Sequence, residues 1–214
     1  LLVVVGDESS LANLAKYKDI TAKLADPRRT NDADAQKLIA DGKVIWEVAG
    51  MTTNAIPSPL AANGVAYVVS GYRGASAVAV PLDSTGDLND TGKVAWRYKK
   101  GTPYVPSPIL FEGRLYFTQA NTQILTVLDA KTGKPTLEGE RLPRGTSFYS
   151  SPIAAAGRLY FVDRDGTTVV LSAGDKPEVL STNKLDDKID SSPAVVGKTL
   201  YLRGEKFLYA IEEK

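Results

Sequence analysis

The residues able to do chemistry in this chain exclude more than they allow. Among its 214 residues there is no Cys and no His. No disulfide or thiolate metal site can therefore form, nor can a Ser-His-Asp triad, an imidazole base or a His-ligated metal. Proton transfer would fall to Asp, Glu, Lys or Tyr. Asp163-Arg164-Asp165-Gly166 opens like a calcium loop, yet the later oxygen ligands and closing Glu are missing, so it reads as an Asp-Gly turn. Tyr72-Arg73-Gly74-Ala75-Ser76 has too few glycines in phosphate-loop order for a nucleotide. What remains suits binding rather than catalysis: Asn54, Tyr104, Tyr149 and Asp190 stand three to five residues before the proline of successive copies of a Ser-Pro pair. Their mixed aromatic and polar character fits a protein surface, a peptide or a glycan.

Those four residues are positioned by an internal repeat. Ser58-Pro59, Ser107-Pro108, Ser151-Pro152 and Ser192-Pro193 are each followed, eight residues after the Pro, by Tyr67, Tyr116, Tyr160 and Tyr201. The prolines are 49, 44 and 41 residues apart, a period of propeller blades rather than helical solenoids. Between Pro and Tyr lie two short apolar runs around a glycine turn, as in Ile109-Leu110-Phe111, Glu112-Gly113 and Leu115-Tyr116-Phe117. That is a hairpin signal, with proline at a strand start where no ladder donor is needed. A third run follows in each copy (Ala77 to Val80, Ile124 to Leu128, Thr168 to Leu171, Phe207 to Ile211). A fourth comes at Val94-Ala95-Trp96, toward Leu137, and at Lys176 to Leu180. Asp41-Gly42-Lys43 before Val44-Ile45-Trp46 marks an earlier blade. The expectation is an all-β propeller of four-stranded antiparallel blades in one domain, residues 1–214.

Leu128-Asp129-Ala130-Lys131-Thr132-Gly133-Lys134 closely resembles the repeat core of the quinoprotein-type, or PQQ-like, propeller family, and Thr91-Gly92-Lys93-Val94-Ala95-Trp96 is a longer variant. The resemblance covers roughly residues 41 to 214 and implies that Trp46 and Trp96 dock between neighbouring blades. Leu137 and Leu180 stand in the later copies, with weaker packing expected there. Such rings usually close with seven or eight blades, whereas strand counting here gives about four and a half. The resemblance therefore implies the C-terminal part of a larger ring, with a small closed ring as the alternative. It also implies an extracytoplasmic, periplasmic or outer-membrane-associated protein like the BamB-type assembly lipoproteins.

Strand alternation sorts the loops. Turns between first and second strands share one face with those between third and fourth. Loops leading into each blade share the other with those joining second to third strands. The second face carries the variation, and with it Tyr72, Arg73, Gln119, Asn121, Arg164 and Arg203. The alternative reading leaves the aromatics of that face packed against adjacent blades. Between the Leu1 to Val5 run and the Asp41-Gly42 turn, a helical insertion is expected over about residues 9–34, from the stripe Leu11, Leu14, Ala15, Lys18 and the stop at Asp26-Pro27. Lys184 to Asp190 alternates charge and reads as solvated surface.

A net charge of +1 gives no electrostatic case for nucleic acid or an anionic membrane, and no run reaches transmembrane length. Three functions follow from the resemblance. One is a non-catalytic scaffold with a protein partner and no cofactor. Another is a fragment of a quinone-dependent dehydrogenase, an enzyme type that stacks its quinone between a tryptophan and a vicinal cysteine pair beside calcium. The third is a carbohydrate-binding or sensor propeller attached to another domain. The missing cysteines and the repeat positions of both tryptophans favour the first.

Overall fold

A computed structural model describes residues 44–143 and 146–212, all of whose regular elements are strands. The segment β1 (Trp46–Glu47) precedes a first blade of β2 (Leu60–Ala62), β3 (Val65–Ser70), β4 (Ser76–Pro81) and β6 (Trp96–Tyr98), with β5 (Gly86–Asp87) inserted before its last strand. The second blade is β7 (Ile109–Phe111), β8 (Arg114–Thr118), β9 (Ile124–Asp129) and β10 (Pro135–Arg141). The third is β11 (Ile153–Ala155), β12 (Arg158–Val162), β13 (Thr167–Ser172) and β14 (Val179–Lys184). A last, three-stranded sheet holds β15 (Ala194–Val196), β16 (Thr199–Arg203) and β17 (Leu208–Glu212). Pairing within every blade is antiparallel and in chain order, so the chain is an assembly of β-propeller blades as its repeat implies. The insertion expected over residues 9–34, the Leu1 to Val5 run and the Asp41-Gly42-Lys43 turn lie outside the described residues.

The repeat is exact in register. Tyr67, Tyr116, Tyr160 and Tyr201 each sit opposite the first residue of their blade's first strand: Leu60, Ile109, Ile153 and Ala194. Hairpin turns Asn63-Gly64, Glu112-Gly113 and Ala156-Gly157 have positive φ at both positions, the mirror-image turn whose twist suits adjacent strands. Period-2 alternation then presents an apolar face to each side of a blade. Tyr67, Val69, Ala77, Ala79, Trp96 and Tyr98 of the first blade meet Leu115, Phe117, Leu128 and Ala130 of the second. The opposite face of the second blade, with Tyr116, Leu125 and Val127, meets Leu159, Phe161, Val169 and Leu171 of the third. Each of the buried Val, Leu and Phe side chains among them contributes about 1.5–3 kcal/mol, so cohesion resides between sheets as much as within them.

The family-like core motif has a physical explanation. Asp129 Oδ1 accepts from both the amide and the hydroxyl of Thr132, each at 2.7 Å, and the Gly133 amide donates to the Asp129 carbonyl at 2.8 Å. The Thr132 hydroxyl, then its amide, hold the Asp129 carboxyl below its ordinary value. The folded turn delivers Gly133 beneath the indole of Trp96 from the preceding blade, whose Nε1 donates to the Ala130 carbonyl at 2.8 Å. Trp96 thus docks between blades, and Trp46 packs on Val78, Val80 and Leu88 of the first. Leu137 is half-buried and Leu180 exposed, the weaker packing expected of later copies.

Serine has a second role in the repeat. The amide of Ser58 donates to Ser107 Oγ, that of Ser107 to Ser151 Oγ, and that of Ser151 to Ser192 Oγ, all at 2.9 Å. One hydroxyl per blade therefore ties each blade to the one before it.

Three elements differ from expectation, the first being the fourth strand of the first blade, which is Trp96–Tyr98 rather than Val94-Ala95-Trp96. The last strand of the third blade runs Val179–Lys184 rather than Lys176 to Leu180 and is exposed along its whole length, so it has no apolar alternation to reveal it. Strand β1 pairs in parallel with β5, which lies within a connection that reads in sequence as a polar turn.

Candidate functional site

The loops leading into the blades interlock with those joining second to third strands on one face. Ala120 N–H donates to the Thr102 carbonyl at 2.9 Å and Tyr104 N–H to the Ala120 carbonyl at 3.1 Å. Phe148 N–H donates to the Asn121 carbonyl, Arg164 N–H to the Ser147 carbonyl and Ile189 N–H to the Arg164 carbonyl. Each lead-in loop is thereby fixed against its own blade, and some also against the preceding one. The side chains they carry are held on a stiff rim.

Two clusters form there. In the first, Asn54 Nδ2 donates to the Tyr104 hydroxyl at 2.9 Å. Tyr104 stacks on Tyr72 with centroids 4.7 Å apart and planes at 29°, and the Arg73 guanidinium lies 5.3 Å from the Tyr72 centroid. In the second, Arg164 sits 4.0 Å over the Tyr149 ring and forks onto Asp190, Nε to Oδ1 at 2.6 Å and Nη2 to Oδ2 at 2.9 Å. Asn54 with Tyr104, and Tyr149 with Asp190, are thus brought together in pairs, and each pair spans successive lead-in loops. The aromatics pack on neighbouring loops and still reach solvent: Tyr149 is exposed and Tyr104 half-buried. Exposed Ile56 adds an apolar side chain at the ring position of Tyr149 and Asp190.

Other candidates on this face serve the loops. Asn121 Oδ1 caps the Val105 amide at 3.1 Å, and the Gln119 carbonyl closes a turn with Thr122. Arg203 is exposed, and its carbonyl accepts from Ser191 Oγ at 2.8 Å. Asp163 is buried and spends its carboxylate on the amides of Asp165, Thr167 and Thr146, an ordinary turn. Asp187, inside the stretch that reads as solvated surface, is instead buried. Burial alone would raise its carboxyl. The amides of Lys206 and Phe207, the Tyr209 hydroxyl and the Lys188 amide outweigh that and hold it below its ordinary value. Its sequence context, five charges in the seven residues 184–190, carries no sign of this. A cleft of about 670 Å³ lined by Ala49, Asn89, Trp96, Arg97 and Lys99 includes none of the rim residues.

The residues present do not fit a quinone. The Trp96 indole is taken up by Gly133, Tyr67 and the Ala130 carbonyl, and Trp46 is packed against the first blade. Trp46 is only half-buried, but with no Cys in the chain neither ring faces the vicinal cysteine pair between which and a tryptophan such a quinone is stacked.

Comparison with known proteins places the chain. Residues 33–214 match the family described as outer membrane protein assembly factor BamB. The chain belongs to that family. No curated protein matches it. Among solved structures, the computationally designed Ika4 protein superposes with a TM-score of 0.60 at 11% identity, covering 80% of this chain and 98% of that one. The designed Ika8 protein gives 0.56 at 11% identity over 78% of this chain and 49% of that one. The quinohemoprotein alcohol dehydrogenase ADHIIG from Pseudomonas putida HK5 gives 0.57 at 11% identity, over 75% of this chain and 30% of that one. These likenesses concern the fold, and the chain spans about half of the Ika8 protein and under a third of the dehydrogenase. Among the described residues no helix is long and apolar enough to cross a membrane.

Proposed function

We propose that this protein is a non-catalytic, extracytoplasmic propeller that binds a protein partner through the rim formed by its lead-in loops. The observation that carries the reading is membership, over residues 33–214, of a family described as an outer membrane protein assembly factor. The rim supports it in kind: rigid backbone, two tyrosine–arginine clusters and exposed Ile56 make the amphipathic surface that protein interfaces favour. On the opposite face the first-to-second-strand turns are short hairpins, and the longer connection between β4 and β6 carries no tyrosine–arginine cluster among the described residues. Likeness in fold to a dehydrogenase does not carry its activity, because function resides in the site rather than the scaffold.

The experiment places a benzophenone side chain at Tyr149 or Tyr104 on the rim, and at Asn63 or Ala156 on the turn face. Irradiation in an envelope extract should give a discrete adduct from the rim positions alone. Adducts of equal yield from both faces, or none from the rim, would reject the reading. Addition of the quinone with calcium should give neither bound-cofactor absorbance nor dehydrogenase turnover.

A further inference from the structure

Resting on that reading, we propose that Arg73 and the Tyr72–Tyr104 stack are the docking point for a carboxylate carried by an extended segment of the partner. The rim contains the same device twice, once filled and once open. Arg164 lies on a tyrosine ring and its fork is occupied by Asp190. Arg73 also lies on a tyrosine ring, yet among the described residues no carboxylate pairs with it. The filled copy shows which group the open one suits, since a planar guanidinium on an aromatic platform presents its donors in the fork that matches a carboxylate.

The surrounding groups are arranged for the same ligand. The Tyr104 oxygen accepts from Asn54 Nδ2, which leaves its own hydrogen free to donate to an incoming acceptor. Arg73 and Asn54 both hold the left-handed backbone, at φ 51 and 60, which sets the turns that carry their side chains. Gly74 lets the Arg73 turn close against Thr52, because a Cβ there would lie 2.9 Å from Thr52 Cγ2. Exposed Ile56, two residues beyond Asn54, offers an apolar contact for the residue flanking the carboxylate. An acidic residue between apolar neighbours on an extended strand meets all of these groups.

The test uses the full chain and the heptapeptide Ac-Gly-Val-Glu-Val-Glu-Val-Gly-amide, followed by calorimetry and by the arginine side-chain NMR signals. The Glu peptide should bind saturably and shift the Arg73 Nε resonance. Its Gln counterpart should bind about tenfold more weakly, the scale of one charge-assisted contact. Arg73→Gln should lose about the same factor and Arg73→Lys less, with melting temperatures unchanged. Tyr104→Phe, which keeps the stack and removes the donor, should weaken binding about threefold. No saturation by about 5 mM, equal affinity for the Gln peptide, or full affinity in Arg73→Gln would each overturn the proposal. If Arg73→Gln still gives the Tyr149 photo-adduct at full yield, the carboxylate docking point falls while the partner-binding rim stands. If wild type gives no adduct either, the rim itself is rejected.

Discussion

Replacing Gly133 with Ala tests the contact between blades at its tightest point. The added Cβ would lie 2.4 Å from Trp96 Cδ2, 2.6 Å from Cγ and 2.7 Å from Cε3, so the ring must move. Gly133 also has φ +67, where a Cβ costs about 1 kcal/mol. Displacing a ring that is 8% exposed adds an overpacking cost of about 1–3 kcal/mol. Loss of the Trp96 Nε1 bond to the Ala130 carbonyl adds about 1 kcal/mol. The expected destabilisation is about 3–5 kcal/mol. Gly157→Ala is the matched control: its φ is +72 and nothing lies within 4 Å of the new Cβ, so only the backbone cost of about 1 kcal/mol applies. Urea unfolding followed by tryptophan fluorescence measures both, and Gly133→Ala should in addition red-shift the native emission. Equal losses in the two variants would refute the claim that the Trp96–Gly133 seat holds the first and second blades together.

Two further predictions concern other contacts between segments. The Tyr116 hydroxyl donates to the Gly174 carbonyl at 3.2 Å and accepts from its amide at 3.0 Å, so Tyr116→Phe should cost about 1–2 kcal/mol in urea unfolding, whereas Tyr160→Phe should cost under about 0.5 kcal/mol. Asp187 has a folded-state pKa below its unfolded value of about 4, so its contribution is present above that value and is lost as pH falls through the folded one. The stability gap between wild type and Asp187→Asn should accordingly be wide at neutral pH and close below about pH 4; a gap constant down to pH 2.5 would contradict the assignment.

The blades were legible because their signals are local. Alternating apolar residues, glycine turns with positive φ and a fixed Pro-to-Tyr spacing specify each hairpin without reference to the rest of the chain. Strand β14 was displaced because all six of its residues are exposed and nothing in their polarity alternates. The β1–β5 pair was missed because it joins segments 40 residues apart through backbone groups alone. Asp187 illustrates the same limit: a carboxylate amid Lys and Asp looks solvated until the amides of Lys206 and Phe207 are folded over it. Register brought Asn54, Tyr104, Tyr149 and Asp190 onto one rim in sequence. Their pairing with Tyr72, Arg73 and Arg164 depends on how successive lead-in loops abut, which spacing does not encode. The Ser-Pro repeat was visible as a pattern, but the serine's partner is an amide 41 to 49 residues upstream, beyond the reach of local reading.

Amide hydrogen exchange at the repeated serines tests the radial arrangement most directly. The amides of Ser58, Ser107 and Ser151 should be protected, because each is bonded to the hydroxyl of the following blade's serine. Ser107→Ala should release the Ser58 amide selectively, and Ser151→Ala the Ser107 amide, while the rest of each blade keeps its protection. Fast exchange at all three serines in the wild type, or unchanged protection of Ser58 in Ser107→Ala, would contradict a set of sheets joined in sequence about one axis.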